Sequence, residues 1–175
     1  HRRNVDIVIA SRSAELASML AAMPMPEGFL LSLSVTDSLK PETFPACDIL
    51  IHDLDKPASD MIQTLASHTA LVLCLDATEL DSLPPSARES LADIWPKPFS
   101  AEMIRFRCQK LIRQLIQERK YSLSQKYLDT LINSVPDLIW FKRLDGIHVK
   151  VNDGFCSVVR KPRQDIEGYD HYHIW

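Results

Sequence analysis

Glycine is scarce in this chain, with four among 175 residues, and three of them (Gly146, Gly154 and Gly168) fall close to its end. Nine of the eleven prolines lie before residue 99, so the two halves differ in composition. No apolar run approaches the roughly 18 residues that a membrane span requires. No charged-then-apolar leader opens the chain, and we expect a cytoplasmic protein rather than a secreted or membrane-embedded one. The four cysteines (Cys47, Cys74, Cys108, Cys156) show neither CxxC nor Cys/His ligand spacing. That argues against a metal or disulfide framework and for small reduced core residues. What is present is ordinary globular material: 46% hydrophobic and 25% charged residues exclude disordered and fibrous classes. The chain begins at His1 and ends at Trp175, and we expect it to be a segment of a longer protein.

Charge divides the chain more sharply. Residues 1–100 carry a net charge of -7, residues 101–128 a net +5, and residues 129–175 a net -1. An acidic block, a basic connector and a near-neutral tail suggest two modules joined by a helix.

Over the first hundred residues strand and helix patterns alternate. VDIVIA (5–10), CDILIHD (47–53) and ALVLCL (70–75) are apolar runs of the kind buried on both faces of a sheet. FLLSLSV (29–35) alternates apolar residues with serine, and DIW (93–95) is a brief last strand. Helical spacing predicts helices over 13–23 and 58–67 and a weak one over roughly 80–92, with a proline-limited link before residue 47. Such alternation predicts an α/β fold with a parallel sheet, helices on both faces and functional groups at the carboxyl ends of the strands.

Those ends carry a resemblance. DILIHDLDKP (48–57) and WPKPF (95–99) are similar to the third and fifth strand ends of a two-component response-regulator receiver domain. The resemblance covers residues 4–120 and implies a flavodoxin-like (βα)5 fold with an extended last helix. It also implies that Asp53 is the phosphoacceptor equivalent and that Lys97 contacts the phosphoryl group, with a cis Lys97–Pro98 bond. The rest of the implied pocket departs from the pattern. Ser11 and Arg12 stand where receivers carry a Mg²⁺-binding acidic pair, Asp76 stands where they carry Ser or Thr, and Ile94 occupies the aromatic switch position. Mg²⁺ prefers hard oxygen ligands, and a carboxylate at 76 repels phosphate. We therefore expect a degenerate receiver, no cofactor, and Mg²⁺ only if the site is active. Arg12 is expected to pair with Asp53 or Asp76, its guanidinium standing in for the cation.

From Ser100 to about Asn133 the chain has no Gly or Pro. Ile104, Cys108, Leu111, Ile112, Leu115 and Ile116 form an apolar stripe along the predicted helix. Its favoured use is a homodimer seam centred on Ile104, Cys108, Leu111 and Leu115; packing onto its own receiver is the competing explanation. The basic residues of this helix surround it rather than forming one stripe. In a chain of net charge -3, that favours a solvated surface over nucleic-acid binding.

From Tyr127 the chain resembles the opening of a PAS sensor domain. LIWFK (138–142) and IHVKVN (147–152) are predicted strands, joined by a tight turn at Leu144-Asp145-Gly146. Asn152 and Phe155 fall where PAS domains carry those residues. The match spans 127–175 and lacks the later strands. His148, His171 and His173 are expected to be exposed positions rather than metal or haem ligands. The expected organisation is a receiver-like domain (1–120), an overlapping signalling helix (100–133) and the N-terminal part of a PAS domain (127–175). By resemblance, such a chain is a non-catalytic, dimerising regulatory module. Its expected partners are a sensor kinase or a downstream output such as a diguanylate cyclase or histidine kinase, with no nucleic acid or membrane. The alternatives are a phosphorylatable receiver and a nucleic-acid-binding regulator.

Overall fold

The computed structural model describes residues 4–39 and 46–174, which form two compact units, His1–Ile116 and Gln117–Trp175. Five strands build the first: β1 (Asn4–Ser11), β2 (Leu30–Thr36), β3 (Ile49–Asp53), β4 (Ala70–Leu75) and β5 (Asp93–Pro96). They pair in parallel in the order β2-β1-β3-β4-β5. This is the doubly wound, flavodoxin-like order. The expected proline-limited link between β2 and β3 falls largely on residues 40–45, outside the described residues, as do His1 and Trp175.

The central strands are apolar throughout because both faces are covered. Val5, Ile7, Ile9, Ile49, Ile51, Val72, Cys74 and Trp95 point to one face. There they meet Leu16 and Leu20 of α1 (Glu15–Leu20) and one side of α5 (Ala101–Asn133). Val8, Ala10, Leu50, Leu71, Leu73 and Leu75 point to the other face. Their partners are Ile62 and Leu65 of α2 (Ser59–Ala66), and Leu83 with Ala87. Strand pleating alone explains this division, since successive side chains alternate faces. β2 is half exposed, as an edge strand with Ser32 and Ser34 should be.

Between β4 and β5 the single weak helix expected over 80–92 is instead two short ones, α3 (Ala77–Asp81) and α4 (Pro85–Ser90). Pro84 and Pro85 lack the N–H groups a continuous helix needs, and Pro85 sits where a helix tolerates proline, in its first turn. Arg88 then donates to the carbonyls of Leu80 and Leu83, at 2.9 and 3.0 Å.

The apolar stripe of α5 has a definite partner. Ile104, Cys108, Ile112 and Ile116 are buried in the first unit's own core, Ile104 being 1% exposed, and Leu111 and Leu115 pack partly against it. The expected dimer seam at Ile104 and Cys108 is thus corrected: these side chains are covered by their own sheet. Spacing shows that a helix face is covered, not what covers it. No helix among the described residues is long and apolar enough to cross a membrane.

The second unit holds the end of α5, a two-stranded antiparallel sheet of β6 (Trp140–Lys142) and β7 (His148–Val151), then α6 (Asp153–Val159) and α7 (His171–Ile174). Its core is small: Val151, Phe155, Ile166 and Ile174. Asn152 is buried and uses its whole hydrogen-bonding capacity. Its Nδ2 donates to the carbonyls of Ile132 (3.0 Å) and Asp137 (2.8 Å). Its Oδ1 accepts from the N–H groups of Ile139 and Phe155, both at 3.0 Å, the second capping α6. His148, expected to be exposed, is buried, with Nδ1 3.1 Å from the Tyr169 carbonyl and its ring beside Phe155. His171 and His173 are exposed.

Two outcomes are expected. Asn152→Ala strands two carbonyls and two N–H groups and should lower the second unit's stability by about 2–4 kcal/mol, measured by urea unfolding or hydrogen exchange of its amides. In the first unit, burial of His52 pushes its pKa below the ordinary 6.5, although Asp53 and Asp55 oppose this. A depressed histidine contributes its stability above pH 6.5, and that stability is lost as the pH falls toward the folded-state value. Urea midpoints should therefore drop from pH 7.5 to 5.5 in the wild type, and by less in His52→Leu.

Candidate functional site

The carboxyl ends of β1, β3 and β5 bring together Ser11, Asp53 and Lys97. Ser11 and Asp53 are register partners on adjacent strands, so their side chains share a face. Lys97 follows the end of β5 and precedes Pro98 through a cis peptide bond, as the resemblance implied. Ser11 Oγ donates to Asp53 Oδ2 at 2.7 Å. Lys97 Nζ lies 2.6 Å from Asp53 Oδ1, a buried oxygen that receives no well-aligned hydrogen bond, so the contact is an ion pair first. The Asp53 side chain is only 8% exposed, against 37% for Lys97. Burial works against the Lys97 ammonium, but the adjacent Asp53 carboxylate outweighs it and holds Lys97 above the usual lysine range. Both carboxylate oxygens of Asp53 are thus engaged from within the chain.

The remaining pocket residues are placed elsewhere. Arg12 does not pair with Asp53 or Asp76, as expected, but with exposed Asp55, at 3.0 Å between Nη2 and Oδ2. The side chain of residue 12 leaves β1 on the solvent side, and the loop after β3 brings Asp55 to it. Asp76 is the N-cap of α3. Its Oδ1 accepts from the Glu79 N–H (2.8 Å) and the Thr78 hydroxyl (2.6 Å), while Glu79 reaches back to the Asp76 N–H at 3.0 Å. The hydrogen bond from Thr78, followed by that from the Glu79 N–H, lowers the Asp76 pKa. Ile94 packs half-buried against the α2 and α4 core, and its neighbour Trp95 fills the opposite one.

A divalent cation does not fit these residues. Ser11 offers a hydroxyl already bonded to Asp53, Arg12 offers a cation, and the Asp53 carboxylate is held by an ammonium. Among the described residues no group of three or more His, Cys, Asp or Glu side chains converges as a metal site.

Sequence reasoning missed Asp93 and Arg107. The carboxylate of Asp93 accepts from the Trp95 indole N–H (3.0 Å) and from Arg107 (2.7 Å), fastening α5 to β5. The i,i+2 spacing of Asp93 and Trp95 was the available signal. Beside them lies a groove of about 410 Å³ lined by Leu80, Arg88, Leu91, Ile94 and Pro96, among others.

No protein-family model matches the sequence, and no curated protein matches it. Solved structures do. NtrX from Brucella abortus, determined in complex with ADP, aligns at a TM-score of 0.54 and 12% identity over 81% of this chain. The chain spans about a third of that protein (32%). The adenylate cyclase from Rhodopirellula baltica aligns at 0.50 and 13% identity, over 72% of this chain and 99% of that one. A response regulator receiver domain protein from Clostridium thermocellum aligns at 0.48 and 14% identity, covering 63% and 95%. At these identities the likeness is one of fold. The first unit is an α/β domain with the five-stranded parallel sheet of a flavodoxin-like receiver, followed by a long helix and a small antiparallel sheet.

Proposed function

We propose that the chain is a signal-transduction regulatory module whose receiver-fold unit works without accepting phosphate. In this reading it pairs with a second copy and passes its state along α5 to a PAS segment and an output domain. The observation that carries it is what stands beside Asp53 at the end of β1: Ser11, bonded to Asp53, and Arg12, paired with Asp55, in place of two acids. The carboxylate that would be phosphorylated is nine-tenths buried and engaged on both oxygens, while the cation's ligands are replaced by Ser11 and Arg12. Asp76 adds a second obstacle, since its negative charge stands where a phosphoryl group would need a hydroxyl. The sheet order β2-β1-β3-β4-β5, that of a flavodoxin-like receiver, supports the signalling class.

The PAS assignment draws on the order α5, hairpin, Asn152-capped helix, and on the match of sequence from Tyr127. A diguanylate cyclase or histidine kinase output rests on architecture alone. Phosphorylation at Asp53 is the second reading, favoured by one observation: Asp53 stands at the carboxyl end of β3 with a lysine beside it.

Two measurements decide between them. With Mg²⁺ and acetyl phosphate or beryllofluoride, intact-mass analysis and calorimetry should show no phosphoryl adduct and no saturable binding. Saturable binding abolished by Asp53→Asn would establish the phosphorylatable receiver instead. If the ion pair is structural, Lys97→Met should destabilise the protein by about 1–3 kcal/mol, because it leaves a buried carboxylate without its cation. The double variant Asp53→Asn with Lys97→Met should cost less than the two single changes combined.

A further inference from the structure

With Ile104, Cys108, Ile112 and Ile116 committed to the sheet, the other side of α5 needs its own explanation. Writing the helix in heptads with Tyr121 at position a, every a and d position from Lys110 to Leu131 is solvent-exposed. The last four of these are Tyr121, Ser124, Leu128 and Leu131, spaced three, four and three apart. Three are large and apolar, and Tyr121 and Leu131 are 68% and 65% exposed. Scattered exposed apolar side chains are ordinary. A run of them on one seam with a 3.5-residue period is the pattern of a two-stranded coiled coil.

We propose that this seam packs against the same seam of a second copy, parallel and in register, through Tyr121, Ser124, Leu128 and Leu131. The proposal rests on the reading of the chain as a dimerising module and names the surface and orientation of that dimer. It also moves the interface away from the buried stripe that sequence spacing favoured. Charge selects the second copy and its direction. With a at 114 and 121, Arg113 falls at g and Glu118 at the following e position. In a parallel pair each g residue faces the e residue five positions later, so Arg113 meets the partner's Glu118, twice per dimer. An antiparallel copy that overlays Tyr121–Leu131 on itself carries Arg113 past the end of the partner helix and forms no such pair. Ser124 is the polar residue between Tyr121 and Leu131 on the seam and weakens the packing there.

Sedimentation equilibrium of the full 175-residue chain over a range of concentrations tests this directly. The wild type should self-associate to a dimer. Tyr121→Glu and Leu131→Glu, both at exposed positions, should weaken the dimer about 100-fold, and Ser124→Leu should tighten it about ten-fold. Ser122→Glu, on the flank of the helix, should change nothing. Under mild oxidation Ser124→Cys should cross-link two copies beyond the wild-type background, and Ser122→Cys should not. A wild type that stays monomeric at high concentration overturns both the seam and the dimeric module. A dimer indifferent to Tyr121→Glu, Leu131→Glu and Ser124→Leu overturns the seam and leaves the dimeric module standing.

Discussion

The first unit depends on α5 laying one narrow face against the sheet. Ile104, Cys108, Ile112 and Ile116, each four residues from the next, close the larger of the two cores over β1, β3, β4 and β5. A four-residue step turns the helix by about 400°, overshooting one turn by about 40°, so the contact line winds around the helix by roughly 120° from Ile104 to Ile116. Asp93 and Arg107 hold the beginning of that line, with the Trp95 indole bonded to the same carboxylate. Burying four side chains of this kind contributes several kcal/mol, on the order of 2 for each. Helix position and rotation are thereby fixed, and so is the set of residues turned outward.

The same sheet separates the assembly of a site from its chemistry. Parallel pairing in the order β2-β1-β3-β4-β5 delivers residues 11, 53 and 97 to the carboxyl end of the sheet whatever they are. The backbone therefore assembles a site, and the side chains decide what it does. Here serine and lysine satisfy the aspartate, and the aspartate after β4 serves as the cap of a short helix. An interaction that neutralises a buried carboxylate stabilises the resting molecule.

Sequence revealed most where a pattern had one physical explanation. ALVLCL could only be a strand covered on both faces, and β4 spans those residues, 70–75. The Gly- and Pro-free stretch after residue 100 had no point at which to stop, and α5 runs Ala101–Asn133. Asp53 and Lys97 meet because both lie at strand ends, which topology predicts. The misses share a cause: each depended on a contact or a helix boundary that local periodicity does not encode. Asp55, which takes Arg12, sits in the loop after β3. The capping role of Asp76 required knowing that a helix begins at Ala77 rather than near 80. His148 is buried through the carbonyl of Tyr169, 21 residues away, and no periodicity encodes that.

In the second unit, the four hydrogen bonds of Asn152 join three pieces of chain that are separate in sequence. They reach the last turn of α5 through Ile132, the descending link through Asp137 and Ile139, and the first turn of α6 through Phe155. Helix ends ordinarily fray independently, each at little cost. Here the end of α5 cannot loosen without exposing an amide that also holds the start of α6, so the two ends open as one event. A core of four buried apolar residues would be expected to melt piecemeal. A single side chain ties these pieces together, so loosening either helix end costs hydrogen bonds at the other.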